Sequence, residues 1–171
     1  MENFTNEIIN TKQLPRFEEV EYTLLHKNYW KVVLLNFGIF ALILGIALIL
    51  GLLFNEVMIS NRVTFIILYA VLLLVIVFFL RIGFKKKGYA FRNHDVLYRS
   101  GVIATNSMVI PYNRVQHVAL HEGLISRIFG LAKIEIFTAG GSSSDLEIPG
   151  IPKEEAESIK QLLMGKIQKQ L

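Results

Sequence analysis

Two long apolar runs limit what this chain can fold into more than any other feature. Residues 32–54, VVLLNFGIFALILGIALILGLLF, carry one strongly polar side chain, Asn36, and no charge. Residues 63–80, VTFIILYAVLLLVIVFFL, also carry no charge. As helices rising about 1.5 Å per residue they reach roughly 34 and 27 Å, close to the hydrocarbon thickness of a bilayer. Helices on the surface of a water-soluble domain keep a polar face, and these have none. Both runs are therefore expected to be transmembrane helices. Composition agrees, with 53% hydrophobic residues in 171 and a mean hydropathy of +0.46. Neither run has the marks of a secretory signal: many charged and polar residues precede the first, and no small-residue cleavage site follows it.

The linker NEVMISNR, residues 55–62, is too short to be a domain, so the two helices are expected to form a hairpin. Lys27, Lys31, Arg81, Lys85, Lys86, Lys87 and Arg92 flank it on the side of the termini, whereas the linker has Arg62 offset by Glu56. The positive-inside rule then gives a multi-pass protein of the cytoplasmic membrane with both termini in the cytoplasm. Tyr29, Trp30 and Lys31 at one helix end and Arg81, Lys85, Lys86 and Lys87 at the other are expected at the membrane interface. A basic collar of this kind attracts anionic lipid by about 1 kcal/mol per cation near the surface. Within the first run, Asn36 is a candidate interhelical contact, and Gly38 and Gly45 are candidate points of close packing. The expected layout is an N-terminal cytoplasmic segment 1–31, helices 32–54 and 63–84 joined by an extracytoplasmic loop 55–62, and a cytoplasmic domain 85–171.

After Lys87 the pattern changes to short apolar runs of period two, broken by Gly, Asn, Asp and Ser, which is the pattern of a sheet. YAFRN, VLYRSGVI, SMVIPY, RVQHVALH, AKIEIFTAG and LEIPGI are the expected strands, with a turn at HD and an edge, bulge or bend at Pro111. In AKIEIFTAG, Ile134 and Ile136 take one face and Lys133, Glu135 and Phe137 the other. LISRIFG does not alternate; Leu124, Ile128 and Leu131 share a helical face there, so a short helix or turn is expected. GGSSSD is a loop. From Pro152 a helix follows, with Glu154, Glu155 and Glu157 at its positive end and Lys166 and Lys169 at the other. Ala156, Ile159, Leu163 and Ile167 form its apolar stripe. The fold class is α+β: a transmembrane hairpin followed by a small β-barrel or sandwich with a C-terminal amphipathic helix, the plan of a pleckstrin-homology-like (PH-like) domain.

His117 and His121, in QHVALHEG, have the spacing of two zinc ligands on a helix. The surrounding alternation instead makes a strand, in which they lie about 13 Å apart at roughly 3.3 Å per residue. That is too far for both to reach one zinc ion. Strict alternation places Val115, His117, Ala119 and His121 on one face and Gln116, Val118 and Leu120 on the other, core-facing side. The metal-hydrolase motif also needs a glutamate where Val118 stands. No nucleophile, base and orienting partner come together, and the chain has no cysteine, so no catalytic residue, metal or cofactor is expected. The absence of an aromatic platform with interleaved cations speaks against nucleic acid.

Residues 101–141, GVIATNSMVIPYNRVQHVALHEGLISRIFGLAKIEIFTAGG, resemble the bacterial PH-like family (bPH2, DUF304) of YdbS-type membrane proteins. Gly101, Ile110, Pro111, Arg114, Val115, Gln116, Gly123, Leu124, Phe129, Gly130, Leu131, Ala132, Thr138, Ala139 and Gly140 carry the likeness, and the preceding apolar hairpin matches the layout. The resemblance implies the fold and a membrane setting. It also implies assembly with a membrane protein, a larger relative bearing several such domains, or with further copies of the chain. The expected function is a membrane-anchored interaction module at the cytoplasmic leaflet; the alternative is a sensor of anionic headgroups. The candidate partner or lipid surface comprises Arg92, Arg99, Arg114, His117 and His121.

Overall fold

The computed structural model describes residues 20–139 and 145–168. Two long helices dominate its first half: α1 (Tyr29–Phe54) and α3 (Arg62–Lys86), joined through the short α2 (Glu56–Ser60). Asn55 ends the first and starts the second, its side chain accepting from the Met58 N–H at 3.2 Å. No part of the most apolar window of α1 or α3 is buried within the chain. Side chains such as Leu42, Ile43, Leu53, Val63 and Leu74 point outward, and only a hydrocarbon solvent makes that arrangement favourable. The pair is held together at mid-length, where the Tyr69 hydroxyl donates to the Ala41 carbonyl at 2.8 Å. Gly45 provides the space for it: a Cβ there would lie 3.0 Å from the Tyr69 oxygen. A Cβ on Gly38 would meet nothing within 4 Å, so this glycine takes no part in the packing, and Asn36 is exposed.

The hairpin sits inside a sheet. β1 (Thr23–Leu24) precedes α1, and β2 (Gly88–Phe91) follows α3 at once; the two pair antiparallel, with Leu24 opposite Gly88. β3 (Asp95–Ser100) and β4 (Asn106–Pro111) extend the sheet in the order β1-β2-β3-β4. A 3-10 turn, Tyr112–Arg114, leads into a second sheet of β5 (Val115–His121), β6 (Leu131–Thr138) and β7 (Leu146–Pro152). The short α4 (Leu124–Ile128) connects β5 to β6, and α5 (Lys153–Gln168) ends the described chain. This is the two-sheet, one-helix plan that the sequence implies.

Both sheets turn their apolar faces inward. Val96, Ile134, Ile136, Ile148 and Ile151 are fully buried, and Ala156 and Leu163 of α5 close the core. The core also takes in Leu25 from ahead of the hairpin, so residues before α1 belong to the same domain as those after α3. The Tyr89 hydroxyl donates to the Glu155 carboxylate at 2.9 Å, tying α5 to β2. Burial and that bond push the Tyr89 hydroxyl well above its ordinary pKa.

Several local expectations need correction. The expected strand VLYRSGVI stops at Ser100, because Gly101 adopts φ +128° and starts a turn over residues 101–105. A bulge between Val115 and His117 in β5 resets the alternation, so Val115 is buried with Val118 rather than exposed with His117. Leu131 lies in β6 and not on the face of α4, the chain having turned at Gly130 with φ +65°. Pro152 is the last residue of β7 rather than part of the helix. Residues 1–19, the GGSSS of the loop (residues 140–144), the Ile167 side chain and Lys169 lie outside the described residues.

The base of α1 is fitted against β7. Gly150 has φ +71°, and a Cβ there would lie 2.5 Å from the Tyr29 ring. The His26 N–H donates to the Gly150 carbonyl at 3.0 Å. Gly150→Ala combines positive-φ strain with a steric collision and is expected to cost about 1–3 kcal/mol. Trp30, the single tryptophan, packs beside this contact with its ring 5.6 Å from Phe84, so a thermal melt followed by its fluorescence measures the loss directly.

Candidate functional site

The strand directions give the domain two poles. β2 leaves the membrane hairpin at Gly88, and the strands paired with it return to the same level at the turn 101–105. The opposite pole holds residues 92–94, the turn Tyr112–Arg114, Thr138 and Asp145. Bonds that close it include Tyr112 N–H to the His94 carbonyl at 2.9 Å, Tyr112 hydroxyl to the Arg92 carbonyl at 2.6 Å, and Lys166 Nζ to the Asn93 carbonyl at 3.2 Å.

The membrane-proximal pole gathers the expected interface residues. Arg81 lies over the Trp30 ring at 4.8 Å and beside Phe84 at 5.9 Å, and Lys31 lies 5.8 Å from the Phe129 ring centre. Cation–π contacts of this kind suit the border of a bilayer, where the ring stays apolar and the charge meets water. Lys85 and Lys86 occupy the last turn of α3, the end at which the helix dipole favours cations. Lys86 Nζ donates to the Val102 carbonyl at 2.7 Å. Lys87, directly after the helix, is partly buried, and that burial lowers its pKa. It lines an apolar cleft of about 320 Å³ together with Tyr29, Val33, Phe79, Gly83 and Val102.

The candidate partner or lipid residues do not form one surface. Arg92 is at the distal pole and is already engaged by Asp95, with Nε to Oδ1 at 2.6 Å and Nη2 to Oδ2 at 2.5 Å. Arg99 is near the membrane, its guanidinium 4.4 Å from the centre of the Tyr22 ring. Arg114 is exposed at the distal pole. His117 and His121 are exposed on β5. The first stacks on Phe137 of β6, ring centres 4.1 Å apart and planes 12° apart; the second is opposite Lys133. Because β5 is a strand, the helical geometry that would converge their imidazoles does not arise. Lys133 itself bridges Glu135 at 2.6 Å and Glu147 at 3.1 Å, which raises its pKa.

A second feature escaped the sequence reading. β4 is the outer strand of its sheet, and four of its first five residues, Asn106, Ser107, Met108 and Val109, are exposed. Between it and the β6–β7 hairpin runs a groove of about 220 Å³ lined by Met108, Val109, Ile110, Pro111, Arg114, Thr138 and Asp145. Asp145 does not face the groove as a loose charge. It accepts from the Thr138 N–H at 2.8 Å and the Thr138 hydroxyl at 2.6 Å, which holds its pKa below the ordinary carboxylate value. Arg114 is in no ion pair among the described residues. The sequence did carry a signal for this groove: SMVIP places three consecutive apolar side chains, Met108, Val109 and Ile110, where a half-buried strand alternates.

Comparison with known proteins identifies relatives of the chain. Residues 31–167 fit the model of the bacterial PH domain family. The chain is 33% identical over 85 residues to the UPF0699 transmembrane protein YdbT of Bacillus subtilis (strain 168), a match spanning 48% of this chain and 17% of that protein. It is 32% identical over 72 residues to the UPF0699 transmembrane protein YdbS of the same organism, spanning 42% of this chain and 43% of that protein. The matches thus cover less than half the length of either relative. No solved structure matches. With two helices of membrane-spanning length and apolarity leading into a two-sheet domain, this chain belongs to the bacterial PH domain family and is a membrane protein with transmembrane helices of the YdbS type.

Proposed function

We propose that the chain is a non-enzymatic, membrane-anchored docking module that binds a protein partner along the outer edge of β4. The observation that carries this reading is the distal groove. It joins an open strand edge to exposed apolar side chains and to Arg114, at the pole farthest from the bilayer. An extended segment added to such an edge gains backbone hydrogen bonds, and its alternate side chains enter the groove. Arg114 favours a segment with a carboxylate at the matching position. A fitting partner is a larger membrane relative; the matched stretch is 17% of YdbT, so the same domain forms part of a much longer protein there. Another copy of this chain is the alternative occupant.

The distribution of cations around the hairpin supports a multi-pass topology with both termini, and therefore the groove, in the cytoplasm. Asn55→Cys is expected to react with an impermeant maleimide on intact cells, and Asn93→Cys only after the membrane is opened. The opposite pattern would put the groove outside.

Docking itself is tested by in-cell crosslinking of the full-length chain followed by purification and mass spectrometry. Val109→Lys, which places a charge on the strand edge, and Arg114→Glu are each expected to lower recovery of the partner or second copy at least tenfold, or about 1.4 kcal/mol. Unchanged recovery from both variants would remove the groove from consideration.

A second reading, binding of anionic headgroups, is favoured by the collar of Lys85, Lys86 and Lys87 at the end of α3. Its test needs the whole chain, because β1 and Leu25 complete the domain from the far side of the hairpin. Protein taken from vesicles of phosphatidylcholine and phosphatidylglycerol is expected to retain phosphatidylglycerol in native mass spectra. Lys85→Gln with Lys87→Gln would weaken that retention by about 2 kcal/mol, roughly thirtyfold. Equal retention by the variant would leave the collar with a purely topological role.

A further inference from the structure

Outside the membrane hairpin, the three most exposed large apolar side chains among the described residues lie at one pole. Ile103, in the turn 101–105, is 91% exposed; Leu124 and Ile128, one helical turn apart on α4, are 81% and 72% exposed. None of them is needed by the docking groove, which is at the other end of the domain. A water-soluble surface tolerates scattered apolar residues, but these three occur where the bilayer must be.

Their height is fixed by contacts to the spans. The turn 101–105 is pinned to the end of α3 by the bond from Lys86 to the Val102 carbonyl, 2.7 Å. Val102 reaches further along that helix: a Cβ on Gly83 would lie 3.0 Å from it, and it shares the apolar cleft with Phe79 and Leu80. Gly83 and Phe79 lie about 4.5 to 10 Å up the helix axis from Lys86 at 1.5 Å per residue. The turn therefore overlaps the domain-side end of the apolar span. On α1, the Lys31 ammonium lies 5.8 Å from the ring of Phe129, the residue that ends α4. That contact brings α4 to the first turn of the other span, level with the Trp30–Arg81 pair.

We propose that Ile103 beside α3, and Leu124 and Ile128 beside α1, insert into the acyl border of the leaflet from which the spans emerge. Side chains at the headgroup–acyl boundary bury to a depth of about 5–10 Å, which matches the overlap just described. The occupant of this surface is the bilayer itself, because the spans hold the three side chains against it whatever partner the distal pole takes. Charge agrees with the placement. Arg127, exposed on α4 between the two apolar side chains, and Lys31 face the headgroup region, where anionic phosphates favour them. The two spans, the 101–105 turn and α4 then hold the domain at four points and stop it from swinging about its tethers. The inference rests on α1 and α3 crossing the membrane and is independent of the docking reading.

The chain has no cysteine, so Ile103→Cys, Leu124→Cys and Ile128→Cys each create a unique labelling site. The full-length variants carry a nitroxide and are reconstituted in vesicles of phosphatidylcholine and phosphatidylglycerol. Collision of the label with oxygen, which concentrates in hydrocarbon, is compared with collision with a water-soluble nickel chelate. Asn93→Cys and Asn113→Cys at the distal pole are the aqueous references, and Trp30 fluorescence verifies that every variant keeps its junction. The expected result is an oxygen-to-nickel ratio severalfold higher at 103, 124 and 128 than at 93 and 113. Ratios equal to the references at either segment would overturn the proposal, since the turn and α4 must insert together. Low collision with both reagents would overturn it too, by showing that protein, a second copy or a partner, covers these side chains.

Discussion

The pairing of Leu24 with Gly88 is the constraint on which the rest of this molecule depends. The two residues stand on either side of the whole membrane hairpin, yet they are direct partners in one antiparallel sheet. Neighbouring strands lie about 4.7–4.9 Å apart, so the two ends of the hairpin must emerge from the bilayer side by side. The hairpin meets that demand with the Tyr69–Ala41 bond and the close approach at Gly45. In return, the sheet clamps the domain-side ends of two helices that share little polar contact within the bilayer. Closing so long a loop costs entropy that grows only slowly with its length. A two-residue strand suffices because the hairpin, once inserted, has already brought its ends together.

Most of the cations that made the sequence look like a headgroup binder are occupied within the protein. Arg92 holds Asp95, Arg99 lies over Tyr22, Arg81 over Trp30, and Lys86 bonds the Val102 carbonyl; outside that set, Lys153 Nζ pairs with Glu122 at 2.9 Å. Exposed pairs of this kind contribute little stability one by one, typically 0–1 kcal/mol. Their larger effect is geometric: they fix the β2–β3 turn, the start of α5 and the foot of the hairpin. A net charge of +4 therefore does not measure attraction to lipid. What matters is where Arg114, Lys85 and Lys87 stand, and they stand at opposite poles.

The elements legible in the sequence are those whose signal is local. The two spans follow from unbroken apolarity, β6 from its alternation of Ile134 and Ile136 with Lys133, Glu135 and Phe137, and α5 from its acidic first turn and the spacing of Ala156 and Leu163. β1 was not legible as part of the domain. Thr23 and Leu24 are too few to show a period, and their partners lie beyond the hairpin. Val115 was misplaced because a bulge shifts alternation by one residue without leaving a mark in composition. The surface residues fared least well, since the side on which Arg92, Arg99 and Arg114 emerge is set by long-range pairing, and identity alone cannot supply it.

Polarity of the domain then follows from strand direction. Each long strand runs from the membrane pole to the distal pole or back, so turns alternate between a lipid setting and an aqueous one. At the membrane pole, a turn gains by presenting apolar tips such as Ile103, because its surroundings are hydrocarbon and headgroup. At the distal pole, a turn must be closed by polar bonds, and Tyr112, Asp145 and Lys166 supply them. An exposed Met108 and Val109 midway along β4 fit neither role, whereas a strand laid beside β4 would cover them. The same strands thus give the domain two chemically different ends, and the membrane hairpin determines which end faces the bilayer.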